Sequence, residues 1–330
     1  MRNWANNVNF SAGTVNHPTS KGQVESLVKA AVSRGQVVRA VGTGHSFNRV
    51  ADSRGCLISL KKMNKVIELD ERRRTVKVEG GITYGVLAPW LEARGFALHN
   101  LASLPHVSVA GAVATGTHGS GVGNRSLSSA VVAMEVVGEN GLQSLAKPDP
   151  AFGAAVAGIG AFGVVVSLTL QVQPSFAVAQ TVYEGIDLDR ACMGDGPELL
   201  AAMSTAYSVS IFTRYQRGGR GGDSWLWVKQ KAGTGAGAGA GAAASAAERS
   251  EERIQTPLAV AALGGKAVRD VDLHPIPGID AAVGLWSKAR ELQGYEPTTV
   301  QHSQRPVVCT RTHAPTRTRT RTRTGTLLAR

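Results

Sequence analysis

The sequence predicts a mixed α+β chain whose backbone comes close to a large ligand, and three observations carry that prediction. Ser20-Lys21-Gly22-Gln23 fits a capping box, and Val24, Leu27, Val28, Ala31 and Val32 then recur at helical spacing until Gly35. Runs rich in β-branched residues at 37–41, 56–60, 75–79, 131–137 and 164–172 read as strands, the third of them alternating in and out. Two glycine-rich segments separate these elements: Gly42-Thr43-Gly44-His45-Ser46-Phe47-Asn48, and the 23-residue run from Ala102 to Asn124, which has no permanently charged side chain. A surface loop would carry more charge and a core strand fewer glycines. Glycine permits positive φ and removes the Cβ that holds a ligand away. Consecutive N–H groups in such turns form concave anion sites.

The elements follow in order. The strand at 37–41 delivers the chain into the first glycine turn. Residues 84–94 look helical with Gly95 as the stop, and Pro89 inside them predicts a kink or a shorter helix because it removes a backbone bond. From about Ser175 the pattern changes to longer polar and aromatic stretches, including Ile211-Phe212-Thr213 and Trp225-Leu226-Trp227-Val228. An alternating Ala/Gly run at 232–247 reads as a flexible insertion.

Composition limits the function classes. The chain has 330 residues, 43% hydrophobic, enough for two domains with cores. The net charge of +12 suggests nucleic acid, but residues 301–330 hold seven Arg and no Asp, Glu or Lys, leaving +5 for the first 300. We therefore expect no nucleic-acid partner. The Thr-Arg repeat in that tail has no hydrophobic period; it reads either as a basic disordered arm or as a mispredicted or truncated gene product. Cys56, Cys192 and Cys309 are far apart, which argues against a disulfide scaffold and structural zinc and suits a reducing compartment. No apolar leader opens the chain, so a cytoplasmic location is expected. Residues 151–170 are uncharged, but four glycines and a β-branched end favour a buried turn and strand over a membrane span.

Two motifs are decoys. Gly158-Ile159-Gly160-Ala161-Phe162-Gly163 satisfies G-x-G-x-x-G, yet a dinucleotide fingerprint needs a strand before it and a helix after it, whereas a β-branched strand follows here. His106 and His118 resemble a metal pair, but no carboxylate or cysteine stands at ligand spacing, so no metal is expected.

Taken together, Asn3-Trp4, the GTGHSFN turn, NLASLPHVSVAGAVATGTHGSGVGN and Gly160-Ala161-Phe162-Gly163-Val164-Val165 resemble the vanillyl-alcohol oxidase-type (PCMH-type) FAD-binding superfamily. Within it the chain is most similar to the alditol (xylitol) oxidases and sugar-1,4-lactone oxidases. The likeness continues weakly through Ala206–Ser210 to His274-Pro275-Ile276-Pro277-Gly278 and then stops. It implies a two-subdomain FAD-binding domain at 1–174, a partial antiparallel substrate cap at 175–300, and a low-complexity tail at 301–330. It also implies FAD as cofactor, oxidation of a CH–OH group of a polyol or sugar lactone, and oxygen as acceptor giving hydrogen peroxide. A non-catalytic FAD-binding fragment with an incomplete cap is the alternative.

The resemblance assigns roles residue by residue. It implies a covalent bond between His45 and the 8α-methyl of the flavin, the alternative being a histidine that only caps the turn or binds phosphate. Gly42, Thr43, Gly44 and Ser46 would surround the pyrophosphate. Ser108, Gly111, Ala114, Thr115, Gly116, Thr117, His118 and Gly121 would form the main pyrophosphate and ribityl cradle, and Val165 would touch the cofactor through its backbone. Ser103 stands where doubly linked relatives have cysteine, so no second flavin bond is expected and Ser103 would face substrate and flavin. Ala102, a small residue, suits oxygen access. The acid–arginine pair and lysine that hold substrate in alditol oxidases fall beyond the resemblance and are assigned to no residue here.

Overall fold

The computed structural model describes residues 1–192, 196–213, 224–232, 263–264 and 266–268. The Ala/Gly run from 233 onward, the His274-Pro275 region and the Thr-Arg tail lie outside these residues.

The fold is mixed α+β with three larger sheets. Strand β1 (Val15–Asn16) leads to helix α1 (Lys21–Val32), then β2 (Val38–Ala40) and β3 (Cys56–Ile58), and the three strands form a small parallel sheet in the order β1-β3-β2. Strands β4 (Val66–Asp70) and β5 (Thr75–Glu79) form a hairpin, followed by α2 (Tyr84–Glu92), β6 (Phe96–Ala97) and α3 (Val109–Ala114). After β7 (Val131–Gly138), β8 (Gly141–Ala146) and α4 (Pro150–Val156) comes β9 (Val164–Gln171), which enters between β5 and β7. The resulting antiparallel sheet has the order β4-β5-β9-β7-β8. Strand β10 (Gln173–Pro174) pairs with β6. A second antiparallel sheet follows from β11 (Ala177–Glu184), α5 (Leu188–Ala191), α6 (Pro197–Met203), β12 (Ser208–Thr213), β13 (Ser224–Ala232) and β14 (Lys266–Val268), in the order β12-β13-β11-β14.

Local chemistry explains most boundaries. Ser20 caps α1 by accepting from the Gln23 N–H at 3.3 Å. The box is half formed, because the Gln23 side chain accepts from the Thr19 N–H at 2.7 Å instead of reaching the cap residue. Gly35 has φ +63°, the left-handed stop the sequence suggested. Helix α2 is shorter than the 84–94 expected and contains Pro89; its end is closed by Ala93 and Gly95. Residues 151–170 divide between α4, a glycine turn and β9, so a helix occupies the start of a stretch expected to be turn and strand. No helix among the described residues is long and apolar enough to cross a membrane.

Four hydrophobic clusters among the described residues hold these parts, the smallest being Phe10, Ala12, Val41 and Leu57. Val76, Val78, Leu168 and Leu170 of the five-stranded sheet pack against Leu87 and Leu91 of α2, Val109 and Val113 of α3, and Phe152 of α4. Val24, Val28 and Ala31 of α1 pack on Ile58, Val137 and Val166. Glu135 anchors α1 further, pairing with Lys21 and, at 3.1 Å, with Lys77, while Ser167 donates to it. Tyr183, Leu226, Val228 and Val209 form the core of the second sheet with Ala202 of α6.

Candidate functional site

A cavity of about 390 Å³ opens where the end of β2, the ends of β3 and β5, and helix α3 converge. Gly42, Thr43, Gly44, His45 and Ser46 line one side, and Ser108, Gly111, Ala114, Thr115, Thr117 and Val165 line the other. Two segments that are about sixty residues apart in sequence thus line one cavity.

The approach of those walls depends on missing side chains. A Cβ on Gly42 would lie 2.5 Å from Ser108 Oγ, and one on Gly111 would lie 2.7 Å from the same atom. The first turn is held from outside the cavity by the N-terminal segment. Trp4 N–H donates to the Gly44 carbonyl at 2.8 Å, and Asn3 Nδ2 donates to the Ser46 carbonyl at 3.0 Å. In a trans peptide the C=O and the following N–H point opposite ways. The N–H groups of His45 and Phe47 therefore face away from that segment. Among the described residues, the N–H groups of Gly42 to Ser46 donate to no backbone carbonyl.

His45 is half-buried at the cavity wall. Its Nε2 lies 2.6 Å from His106 Nε2, and its ring stacks on Trp4 with centroids 4.6 Å apart and planes at 28°. Burial, and then the neighbouring His106, lower its pKa to about 4, so the imidazole is neutral near pH 7. Burial lowers His106 too, and its Nδ1 is buried with no hydrogen-bond partner among the described residues.

The second glycine-rich segment is not one continuous cradle. It contains α3, whose first residue follows Ser108 at the N-cap, and the N–H groups of Ala112 and Thr115 are spent on helical bonds. Gly116, with φ +66°, ends that helix: its N–H bonds Val113 and the Thr117 N–H bonds Ala112, a Schellman closure. Gly121 has φ +108°, and a Cβ there would lie 2.3 Å from the Tyr207 carbonyl. Neither glycine lines the cavity; Gly116 is placed by the helix closure and Gly121 by its close approach to Tyr207. His118 is exposed with Nδ1 3.1 Å from the Gly119 carbonyl, and Ser103 is exposed; both lie outside the lining. Ser120 Oγ meets Ser208 Oγ at 2.5 Å and accepts from Ser210 Oγ at 2.8 Å, and Asn124 Nδ2 donates to the Tyr207 carbonyl at 2.9 Å. The end of this segment is thus fastened to the second sheet.

Sequence reasoning missed several lining residues. Gly80 and Gly81 follow β5 and were signalled only by their tandem occurrence. Arg39 and Lys61 add positive charge to the lining, and no carboxylate lines it among the described residues. Ile159, Gly160 and Gly163 also line the cavity although their motif lies between helix α4 and strand β9, the reverse of a dinucleotide fingerprint. No group of three or more His, Cys, Asp or Glu that could hold a metal occurs among the described residues.

The glycine walls, uncommitted N–H groups, hydroxyls and net positive lining fit a polar anionic dinucleotide. The comparisons agree: residues 13–144 match the FAD binding domain family, so the chain carries an FAD-binding domain. It is 36% identical over 284 residues to alditol oxidase of Streptomyces sp., covering 85% of this chain and 60% of that protein. It is 34% identical over 186 residues to mouse L-gulonolactone oxidase, covering 56% and 42%. Over residues 13–144 the chain therefore has the sequence of an FAD binding domain, and along more of its length it is similar to proteins named alditol oxidase and L-gulonolactone oxidase. It spans about 60% of the first of these relatives and about 40% of the second. Cholesterol oxidase from B. sterolicum shares the fold, with a TM-score of 0.60 at 18% identity over 70% of this chain and 47% of that one.

Proposed function

We propose that this chain binds FAD in the glycine-lined cavity and, with it, oxidises a CH–OH group of a sugar alcohol or sugar lactone, passing the electrons to oxygen. The observation that carries the reading is the convergence of both glycine-rich segments on one cavity with a neutral imidazole, His45, in its wall. Residues 42–46 and the hydroxyls of Ser108, Thr115 and Thr117 would hold the pyrophosphate and ribityl chain. The cofactor supplies the redox chemistry; the protein supplies position and electrostatics. His45, neutral and with a ring nitrogen outside the His106 contact, is suited to covalent attachment. Ser103, exposed and outside the cavity lining, is our candidate for contact with substrate, and the second antiparallel sheet is our candidate for the start of a substrate cap.

The test uses the full chain reconstituted with FAD. Acid-denatured protein whose mass exceeds the polypeptide by one FAD, with the increment lost in His45→Ala, supports the attachment. Anaerobic bleaching of the flavin by xylitol or by a sugar-1,4-lactone, followed by hydrogen peroxide on admitting oxygen, supports the reaction and chooses the substrate class. Retained FAD with no bleaching by either class would leave the chain a non-catalytic FAD-binding fragment. Failure to retain FAD would overturn the whole reading.

A further inference from the structure

The segment before β1 is built against the His45 turn. Besides the Trp4 and Asn3 bonds, Asn7 Nδ2 donates to the Phe47 carbonyl at 2.9 Å. Asn3 is almost fully buried and is itself fixed: its Oδ1 accepts from the Val8 N–H at 3.0 Å, and its Nδ2 donates to Asn7 Oδ1 at 2.7 Å. These bonds lay the Trp4 indole on one face of the His45 imidazole, while His106 meets the ring at its Nε2 edge.

The two contacts constrain different things. An imidazole has a broad, roughly two-fold torsion at χ2, so an unconstrained ring samples many planes and both flips. Stacking on an aromatic face selects the plane but is nearly indifferent to a half-turn of the ring. The Nε2···Nε2 contact is not indifferent: a half-turn would bring Cε1–H against His106 Nε2 and lose the hydrogen bond. With plane and flip both set, Nδ1 is the ring nitrogen left outside both contacts.

We propose that Trp4 is a positioning residue for His45, fixing the imidazole plane while His106 fixes the flip, so that Nδ1 is presented to the cofactor's reactive methyl carbon. This rests on the reading of His45 as the attachment point. In the net reaction an N–C bond forms, the imidazole loses its N–H proton and the methyl loses one hydrogen. Both hydrogens and the electron pair leave with dioxygen as hydrogen peroxide.

The experiment follows acid-stable flavin against time after FAD is added to full-length apoprotein, beside the FAD dissociation constant. Trp4→Ala slows attachment about tenfold or more, since misplacement of a reacting group costs up to about a hundredfold, while FAD affinity changes little. Trp4→Phe keeps a stacking face and restores most of the rate; Trp4→Leu keeps bulk alone and does not. In the apoprotein, ring-current displacement of the His45 ring-proton resonances persists in Trp4→Phe and disappears in Trp4→Leu. If Trp4→Ala does not fold, the Phe and Leu variants carry the test. Wild-type attachment rates in Trp4→Leu, or equal losses in attachment and affinity with no rescue by Phe, overturn the inference. Wild-type protein that binds FAD but never attaches it refutes the His45 reading itself.

Discussion

Gly81 crosses the backbone of Leu60 so closely that a Cβ on it would lie 1.8 Å from the Leu60 carbonyl oxygen. Its neighbour Gly80 would place one 2.1 Å from the carbonyl oxygen of Val165. The pair thus lets the end of β5 pass between two backbones at the cavity wall. Gly81→Ala is expected to cost about 3 kcal/mol or more, because rigid backbone must move, lowering Tm by about 6–12 °C. Gly13→Ala, where nothing lies within 4 Å, should change stability by no more than about 0.5 kcal/mol. Equal melting points for the two variants would refute the close crossing.

Glu135 joins α1 to the five-stranded sheet through Lys21, Lys77 and Ser167. These hydrogen bonds outweigh partial burial and hold its pKa down at about 2, below the usual 4.5. Because the folded state holds this group ionised more strongly than the unfolded chain does, its stabilisation is complete above about pH 4.5. It is lost as pH falls toward 2. Glu135→Gln should cost about 1–2 kcal/mol at pH 7, allowing for solvent and salt screening. The variant and the wild type should converge in urea midpoint near pH 2; a constant gap would disprove the linkage.

How much of this was legible in the sequence follows from the range of each signal. Helix α1 and strand β5 were readable because capping, spacing and alternation are local. The shared wall of Gly42 and Ser108 was readable in kind, since both segments have the composition of backbone that approaches a ligand, but the family resemblance was needed to join them. Gly116 and Gly121 show the limit: a helix closure and a close approach to Tyr207 demand glycine as strongly as a cofactor does, and composition cannot separate these causes. Gly80 and Gly81 were missed because their necessity arises from Val165, 85 residues after Gly80, and from Leu60, 21 residues before Gly81. The contact of Trp4 with His45 likewise depends on a turn forty residues later.

His45 gives a second pH dependence, in a higher window. Its folded pKa, about 4, lies below the ordinary 6.5 because burial disfavours the imidazolium. Between these values the unfolded chain binds more protons than the folded one, so stability falls as pH drops from 6.5 toward 4. His45→Asn should make the stability profile of the apoprotein shallower in that interval, leaving the share that His106 and His99, also lowered by burial, contribute, and the part below pH 4.5 that belongs to Glu135. NMR titration of the imidazole with a midpoint near 6.5 in the folded wild type would sink the prediction.

Ser108 Oγ lies at the point where two glycines meet, and its hydroxyl makes no capping bond to α3 although the residue occupies the N-cap. In Gly42→Ala the new methyl would sit 2.5 Å from that hydroxyl but 3.7 Å from the Ser108 Cβ, an ordinary contact. The clash is therefore with one oxygen atom, not with backbone. Gly42→Ala alone should cost about 1–2 kcal/mol as the hydroxyl is driven off its rotamer, and should weaken FAD binding about tenfold by displacing a donor from the wall. Ser108→Ala removes the oxygen that is struck. The double variant should then be more stable than the sum of the singles by about 1 kcal/mol, within the range of coupled neighbours. FAD affinity should behave oppositely and not recover, because the hydroxyl is gone from the site in both cases. Additive stabilities would show that the two walls do not meet through Ser108, and recovered affinity would show that its hydroxyl does not face the cofactor.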